Sequence, residues 1–456
     1  MTYLDLTMSL IDAGTVEVTK SETEVFAVPP TQTTIEGNYW KKYYTVTSTD
    51  HSGPLEFKIK AGEHDYINPS GHYLYTSNRI LDTNGEPLTE KDDADQIRKD
   101  SIVFPINYFH ATRFKNVETI WGGKSVTSND NLYPYRALFE TELNYSRDVK
   151  QEQMMLSLYS KDEGDMDECN VDLTERPPDS VTNYGAYERF HRTKYSKSFE
   201  CVGRIHGELF SQPKLLLNGT TLTVKFHRHD QSFCLMAMDK DKRYVVSIDT
   251  AILFVNHTKI SSHVREAHEI ALLKTNAKYP IRQVKMRYFT KSAGRSDLSE
   301  LNLINGVLPR KIVFGLVSSA AFTGHKHLNP FDFHHFNMQN VVLRVNEKSV
   351  PYENIEMNFR ERCAAQGYVT LLQGTNRLYQ NHGMDLSYDD FLAGHTLLAF
   401  DLTPDLSNSH CNLVQEGTVS LEIKLSEPTR VSVTMIVYAE YDNVITIDKD
   451  RNAQLE

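Results

Sequence analysis

Phe109-His-Ala-Thr-Arg-Phe-Lys-Asn-Val-Glu-Thr-Ile-Trp-Gly-Gly-Lys-Ser-Val126 decides the fold, because this stretch occurs twice. Its second copy, Phe333-His-His-Phe-Asn-Met-Gln-Asn-Val-Val-Leu-Arg-Val-Asn-Glu-Lys-Ser-Val350, begins 224 residues later. The copies share Phe-His, Asn-Val and Lys-Ser-Val at the same positions, which makes seven identities in eighteen positions. Self-similarity at a fixed offset indicates that the chain contains two copies of one structural unit.

A second pair of blocks follows in the same order. Gly219-Thr-Thr-Leu-Thr-Val-Lys-Phe226 matches Gly417-Thr-Val-Ser-Leu-Glu-Ile-Lys-Leu425, with one residue inserted. We expect a further strand after each block, at residues 232–237 and 433–438. The charged run at residues 239–243, Asp-Lys-Asp-Lys-Arg, is the natural seam between the copies. We therefore predict an N-terminal domain over residues 1–243 and a C-terminal domain over residues 244–456.

Alternation of apolar and polar residues predicts mostly β-structure. Leu55-Glu-Phe-Lys-Ile-Lys60 has the period of a half-buried strand. Denser apolar runs at residues 251–255, 312–317 and 433–438 predict strands that are covered on both faces. The clearest helix is predicted over residues 263–277, with Ala267, Ile270, Ala271 and Leu273 along one face.

Each half also carries a long insertion, at about residues 144–198 and 374–394. The first contains the acidic stretch Asp162-Glu-Gly-Asp-Met-Asp-Glu168 and Pro177-Pro178, and we expect it to project into solvent. Loops of this length in compact β domains are usually functional or interaction elements. Together these patterns predict an all-β fold of two tandem jelly-roll sandwiches, a double jelly roll with a few short helices and long inserted loops.

Composition narrows the function. The 456 residues, 40% of them hydrophobic, suffice for two large domains. The net charge of −11 and the absence of a basic tail argue against direct sequence-specific binding of nucleic acid. No apolar run is long enough to predict membrane insertion, and Met1 to Gly14 lack the pattern of a secretory signal. The five scattered cysteines are predicted to be buried thiols: Cys169, Cys201, Cys234, Cys363 and Cys411.

The sequence contains no convincing catalytic motif. Gly123-Lys124-Ser125 resembles the end of a phosphate-binding loop, but Glu118 stands where that motif needs glycine. We interpret residues 121–124 and 345–348 as hairpin turns instead.

A local group of histidines raises the question of a metal site, but no acid follows at the spacing of a metal-dependent jelly-roll enzyme. The histidines are His325, His327, His334 and His335. Asp165 and Asp167 are not followed by the glycine and the terminal glutamate at the positions that an EF-hand loop requires. We therefore predict no catalytic, cofactor-binding or metal-binding residue, and no enzyme.

Several segments of the second half resemble those of one protein family. They are Lys278-Tyr-Pro-Ile-Arg282, Leu308-Pro-Arg-Lys311, Asn329-Pro-Phe-Asp-Phe-His-His-Phe336, Thr396-Leu-Leu-Ala-Phe-Asp-Leu-Thr-Pro-Asp405 and Val437-Tyr-Ala-Glu-Tyr-Asp-Asn443. They look like the hexon-type major capsid protein of Maverick/Polinton elements and the related adintoviruses. The resemblance covers most of the second half and extends weakly into the first.

This resemblance implies a structural protein of a virion capsid. Three copies would form a pseudo-hexagonal capsomer, with two upright jelly rolls from each chain and long loops as towers. The expected partners are the other two chains of a homotrimer, neighbouring capsomers and a penton or minor capsid protein. The chain would be made in the host cytoplasm, with assembly there or in the nucleus. Two alternatives stay open: a minor capsid or penton protein, and a metal-dependent or sugar-binding double jelly-roll protein.

Overall fold

The structure is a computed structural model that describes residues 20–26, 28–49, 53–91, 98–171, 182–406 and 410–455. The expectations for Met1 to Gly14 and for Pro177-Pro178 concern residues outside these ranges. The strands of the first half are β1 Ile35–Tyr44, β2 Leu55–Lys60, β3 Asp65–Asp82, β4 Val103–Pro105, β5 Phe114–Trp121, β6 Lys124–Ser125, β7 Phe199–Gly203, β8 Thr221–Arg228, β9 Leu235–Ala237 and β10 Tyr244–Ile260. Those of the second half are β11 Ala277–Lys291, β12 Glu300–Val307, β13 Lys311–Ser318, β14 Met338–Val345, β15 Lys348–Glu356, β16 Leu397–Asp401, β17 Glu416–Leu425, β18 Val433–Ile447 and β19 Ala453–Leu455.

Both halves have the same sheet topology. In the first, sheet 1A has the order β1-β10-β3-β7 and sheet 1B the order β2-β8-β5-β6, while β4 and β9 form a separate pair. In the second, sheet 2A has the order β11-β18-β13-β16, with β19 added to β18, and sheet 2B has the order β12-β17-β14-β15. Each half is therefore an eight-stranded sandwich in which the first strand lies beside the last, as in a jelly roll. The predicted double jelly roll is confirmed.

The repeat found in the sequence falls on equivalent strands. Its first block lies on β5 and β6 in one half and on β14 and β15 in the other, and its second block lies on β8 and β17. The expected match between residues 232–237 and 433–438 was wrong, because residues 231–234 form a helical turn before the short β9. The true counterpart of β18 is β10, which holds the same position in its sheet.

Strand β10 also bears on the domain boundary. It begins at Tyr244, one residue after the predicted end of the first domain, and it pairs with β1 and β3 of that domain. The charged run at residues 239–243 is thus a turn that leads into the last strand of the first jelly roll. We propose that the boundary lies after Ile260 rather than after residue 243.

Helices occupy the connections between strands. Within the described residues they are α1 Phe109–Thr112, α2 Tyr133–Asn144, α3 Arg147–Glu152, α4 Tyr184–Thr193, α5 Gln231–Cys234, α6 Ser262–Leu272, α7 Ser319–Thr323, α8 Ala365–Gly374 and α9 Tyr388–Leu392. The two predicted insertions fall in equivalent connections, between β6 and β7 in the first jelly roll and between β15 and β16 in the second. They contain helices that the sequence did not suggest. Helix α6 is the predicted helix at the start of the second half, and it ends early because β11 begins at Ala277.

Both predicted hairpin turns are confirmed. Trp121 pairs with Lys124, and Val345 pairs with Lys348. The two central residues of each turn have positive φ, at Gly122 and Gly123 in the first turn and at Asn346 and Glu347 in the second. Tight hairpin turns with φ positive at both central residues favour Gly and Asn, so the Gly-Gly pair serves the backbone rather than a phosphate.

The three dense apolar runs differ in how many of their residues are buried. In β13 six of eight residues are buried, and the first seven residues of β18 are buried, so both strands are covered on both faces as predicted. The run at residues 251–255 differs, because Ile252 and Phe254 are only half-buried. The prediction of two covered faces was therefore wrong for β10 in the isolated chain.

Gly122 offers a direct test of the first turn. A Cβ there would lie 2.5 Å from the backbone oxygen of Arg451, whereas a Cβ on Gly123 would meet no described atom within 4 Å. Positive φ alone should make Gly123→Ala cost about 1 kcal/mol. Gly122→Ala should cost about 1–3 kcal/mol more, because a backbone contact cannot move aside. Denaturant unfolding of both variants measures the difference, and equal losses would contradict this account.

Candidate functional site: the junction of the jelly rolls and its uncovered counterpart

Helix α2 of the first jelly roll packs aromatic side chains against the second. The ring of Tyr135 lies 5.6 Å from that of Phe331 and 6.3 Å from that of Phe333, centroid to centroid. Phe139 lies 5.2 Å from Phe333. All four rings are buried. Buried aromatic clusters contribute strongly to the stability of an interface, so these contacts hold the two jelly rolls together.

The first jelly roll also covers the edge of sheet 2A. The Ser128 hydroxyl donates to the carbonyl oxygen of Val284 at 3.1 Å, and the Met286 amide donates to Asp130 at 3.1 Å. The Val284 amide donates to Glu208 at 3.3 Å. Edge strands present backbone groups that other chains can pair with, and proteins commonly cover them. The edge of β11 is covered in this way from within the chain.

A buried ionic network lies behind these contacts. Arg136 of α2 bonds Glu208 at 2.7 Å and Glu140 at 2.9 Å, and Glu140 accepts a hydrogen bond from His206 at 2.6 Å. Burial alone would raise the pKa of Glu140, but the Arg136 charge and the His206 hydrogen bond outweigh it and hold that pKa at about 2. Burial lowers the pKa of His206. The network thus contains two carboxylates, one guanidinium and a neutral imidazole.

Strand β1 is the counterpart of β11 in the first jelly roll, yet its surroundings are opposite. Each is the edge strand beside the last strand of its jelly roll. In β11, five residues are buried: Tyr279, Ile281, Gln283, Val284 and Met286. None of the ten residues of β1, all of which the structure describes, is buried. Equivalent strands with opposite exposure indicate that a contact made in the second half is unfilled in the first.

The outer face of sheet 1A is aromatic and open. We call the aromatic face the set formed by Trp40, Tyr44, Tyr73, Tyr75, Ile252 and Phe254. Cross-strand pairing puts Tyr73 opposite Phe254 and Tyr44 opposite Ile252, on the same side of the sheet. The rings of Tyr73 and Phe254 stack at 4.5 Å, and Trp40 lies 5.3 Å from Tyr73. Trp40 is 51% exposed and Tyr44 is 64% exposed. Lys42 crosses this face, with its ammonium 5.5 Å from the centre of the Phe254 ring. Exposed aromatic clusters of this size are typical of interaction surfaces.

The two insertions meet each other. The Lys150 ammonium donates to the carbonyl oxygen of Met384 at 2.6 Å and pairs with Glu142 at 2.7 Å. Lys161 pairs with Asp390 at 2.6 Å. The insertions line an open cleft of about 900 Å³. They therefore form one joint surface, which the sequence could not show because partners such as Lys150 and Met384 are 234 residues apart.

The acidic stretch at residues 162–168 is partly buried. The prediction that it projects into solvent was therefore wrong. Asp162 is buried and bonds Arg189 at 2.6 Å, and its second oxygen accepts from Asn329 at 3.0 Å. Asp167 accepts from the amide of Asn329 at 2.7 Å. The prediction failed because the partner Arg189 comes from α4, and Asn329 from the other jelly roll. The stretch is part of the junction.

One carboxyl group at this junction lacks a compensating charge. Burial, followed by the charges of Asp167, Asp165 and Asp162, raises the pKa of Asp332 to about 7. Asp332 lines a cleft of about 200 Å³ with Asp165, Asp167, His334 and His335. Burial lowers the pKa of both histidines, so they provide little positive charge near neutral pH.

The histidines considered as metal ligands lie in separate small contacts. His334 stacks on His335 at 4.4 Å, and His335 stacks on Phe359 at 4.2 Å. His325 and His327 have ring centroids 6.0 Å apart. Within the described residues, no group of three or more His, Cys, Asp or Glu side chains is placed to hold a metal ion. Of the cysteines, Cys169, Cys201 and Cys234 are buried as predicted, while the prediction was wrong for Cys363 and Cys411, which are exposed.

Comparisons with known proteins agree with this architecture. No family model matches the sequence. An uncharacterized protein of Caenorhabditis elegans, F54H12.2, is 24% identical over 434 residues, which cover 93% of this chain and 98% of that protein. A chain of the Sputnik virophage, solved by cryo-EM, superposes with a TM-score of 0.64 at 12% sequence identity. The superposition covers 98% of this chain and 94% of the virophage chain.

Two further solved structures are viral major capsid proteins. That of faustovirus superposes with a TM-score of 0.53 at 9% identity, covering 95% of this chain and 93% of its own. That of mavirus superposes with a TM-score of 0.51 at 12% identity, covering 98% of this chain and 96% of its own. At these identities the likeness establishes the double jelly-roll fold. In the part of the chain that the structure describes, no helix is long and apolar enough to cross a membrane.

The buried network predicts a large effect of one substitution. Arg136→Met would leave Glu140 and Glu208 buried without their guanidinium, so we expect a loss of about 3–5 kcal/mol in the free energy of unfolding. Arg79→Met is the control, because Arg79 pairs with Asp249 at 2.9 Å on the surface, where an ion pair adds little stability. Chemical denaturation measures both. A loss at Arg136 no larger than at Arg79 would show that the network is unimportant.

Asp332 predicts a pH dependence with a definite sign. Its pKa in the folded chain is about 7, above the ordinary 3.8, so folding disfavours the carboxylate. Stability from this group is complete below about pH 4 and declines as the pH rises through 7. Asp332→Asn should therefore gain about 1–2 kcal/mol at pH 8 relative to the wild type and nothing at pH 4. Denaturant unfolding at both pH values tests this, with the exposed Glu361→Gln as control; an equal effect at both would contradict it.

Proposed function

We propose that the chain is a major capsid protein that forms pseudo-hexagonal homotrimeric capsomers of an icosahedral shell, encoded by a Maverick/Polinton-type element. The fold supports the capsid role, because major capsid proteins of faustovirus and mavirus share it along nearly the whole chain. The resemblance of the sequence segments supports the Maverick/Polinton origin. A relative in a nematode is consistent with an element carried in animal genomes. A capsid protein builds a shell through the shape and contacts of its subunits and needs no catalytic groups. We therefore propose that the chain is not an enzyme.

The observation that carries the homotrimer is the contrast between β11 and β1. Within one chain, the first jelly roll covers the edge and outer face of sheet 2A. This contact joins two different surfaces, so it can repeat from one jelly roll to the next. If the second jelly roll of one chain covers sheet 1A of the next chain, a closed ring of six jelly rolls results. Three chains supply six jelly rolls, and the ring covers the outer faces of sheets 1A and 2A in every chain.

The offset of the repeat indicates which surface of the second jelly roll makes this contact. Asp130, which bonds the edge of β11, corresponds to Asn354 at the end of β15, and α2 corresponds to α8 in the same connection. A cleft of about 520 Å³ opens beside α8, lined among others by Pro351, Thr370 and Gln373. We propose that this surface covers β1 and the aromatic face of a neighbouring chain.

Solution mass tests the proposal, and Trp40 tests the surface. We expect light scattering to give three times 52.3 kDa for the wild type, without bound metal. Trp40→Glu should yield folded monomers, because a charge would be buried in the contact. Leu301→Glu is the control: Leu301 is 72% exposed, lies on β12 at the far edge of sheet 2B, and its substitution should leave the trimer intact.

Other masses would favour the alternatives. A pentamer would indicate a penton protein. A monomer with one equivalent of transition metal would indicate a metal-dependent jelly-roll protein and would overturn the capsomer. A trimer in which Trp40→Glu has no effect would leave the trimer standing and contradict the assigned surface.

A further inference from the structure

The residues that precede β1 form an exposed arm, which we define as residues 20–26 and 28–34. All of them are exposed. Val25 is 76% exposed, Phe26 is fully exposed and Val28 is 87% exposed. Glu22 and Glu24, against the single Lys20, leave the same segment with a net negative charge. Three large apolar side chains in one exposed segment indicate a segment that is buried by a contact the isolated chain does not make.

An apolar cleft of about 460 Å³ lies beside α6, where the two jelly rolls are connected. We call it the α6 cleft; its apolar walls include Tyr66, Leu215, Leu217, Ile260, Leu272 and Tyr279. Lys214 and Lys278 also line it, and the Lys214 ammonium donates to the carbonyl oxygen of Lys278 at 2.9 Å. Ile270 of α6 and Leu273, the residue that follows the helix, are both exposed. The predicted apolar face of α6 is thus left largely uncovered.

The arm and the α6 cleft are complementary. The arm offers Val25, Phe26 and Val28 next to acidic residues, and the cleft offers apolar walls next to two lysines. A volume of this size accepts a few apolar side chains. Opposite charges at the rim of such a contact favour encounter and fix its direction.

The last residue of the arm, Thr34, lies beside the cleft of its own chain. Ile35 pairs with Ile260, a wall of the cleft, and the Ser261 amide donates to the carbonyl oxygen of Thr34 at 2.9 Å. The arm nevertheless stays exposed along its whole length. When an element and its binding site adjoin in every copy, two copies can exchange the element reciprocally, at low cost and with twofold symmetry.

We propose that the arm of one chain docks in the α6 cleft of a second copy in an adjacent capsomer and so links capsomers. The proposal rests on the proposed function, since it assumes that capsomers exist. The arm contact is distinct from the aromatic face: Ile260 lies six residues along β10 from Phe254, about 20 Å in a strand. Two surfaces of one chain thus serve two contacts, one within the trimer and one between trimers.

Paired cysteines test the contact. The exposed Cys363 and Cys411 are first changed to serine, which leaves the buried cysteines in place. Phe26→Cys is then combined with Ala271→Cys, because Ala271 lines the cleft and is exposed. Under mild oxidation we expect a disulfide between chains, seen as a doubled mass on a non-reducing gel. Light scattering should then show trimers joined to trimers. Each single variant is the control and should stay uncrosslinked.

Every other outcome overturns the inference. A disulfide within one chain would mean that the arm folds back into its own cleft. A disulfide between chains that leaves the mass at one trimer would mean exchange inside the capsomer. No disulfide in a well-formed trimer would mean that the arm does not reach the cleft. A chain that never forms trimers would instead contradict the proposed function, so the two failures are distinguishable.

A second variant keeps the inference testable without crosslinking. Phe26→Ser with Val28→Ser should keep the trimer mass but lose the assembly of trimers into larger particles, measured by sedimentation and electron microscopy. Val46→Ser is the matched control, because Val46 is a 60% exposed apolar residue outside the arm. Normal particles from the double variant, under conditions in which the control assembles, would contradict the linking role.

Discussion

In each jelly roll, the sheet that contains the first and last strands has an edge strand and an outer face with large apolar side chains, and the covering of these two surfaces organises the whole chain. An edge strand offers unpaired backbone groups, and an apolar outer face offers surface that water solvates poorly. The second jelly roll meets the constraint inside the chain, because α2 and the loops around Ser128 and Asp130 lie against sheet 2A. The first jelly roll does not meet it. The chain therefore covers this surface of its second jelly roll and leaves the equivalent surface of its first jelly roll open.

Polar groups at the junction fix this arrangement. Arg136 holds two buried carboxylates, and Asp162 is held by Arg189 and Asn329. Buried ion pairs add little net stability, but a misplaced partner leaves a buried charge uncompensated, which disfavours other orientations of the jelly rolls. In the proposed capsomer, a fixed angle between the jelly rolls within the chain would allow the same contact to close a ring between chains. Asp332 is the exception, since its neighbours are acids and its charge is not compensated near neutral pH.

The sequence predicted what depends on local pattern and on repetition. The repeat identified β5, β6, β14 and β15 because the Asn-Val and Lys-Ser-Val positions serve the same strand and hairpin in each half. It failed where one half inserted an element, as at residues 231–234, whose helical turn hid the equivalence of β10 and β18. The junction was not predictable, because Arg189, Asn329 and Asp162 are distant in sequence and each has the character of a surface residue when taken alone. Helix α2, which precedes the first insertion, was missed for a related reason: polar residues such as Arg136 and Glu142 are themselves buried, so they do not mark a solvent-facing side.

The most informative failure concerns residues 251–255. Their apolar density has the pattern of a strand covered on both faces, as β13 and β18 are, yet Ile252 and Phe254 face an open surface in the isolated chain. Composition reflects the state in which a protein works, and apolar residues on an open sheet face would favour aggregation unless a partner covers them. The pattern of β10 is therefore the one expected if a partner covers this face, as in the proposed capsomer. The discrepancy between the sequence pattern and the isolated structure falls on the strand with which β1, the uncovered edge strand, pairs.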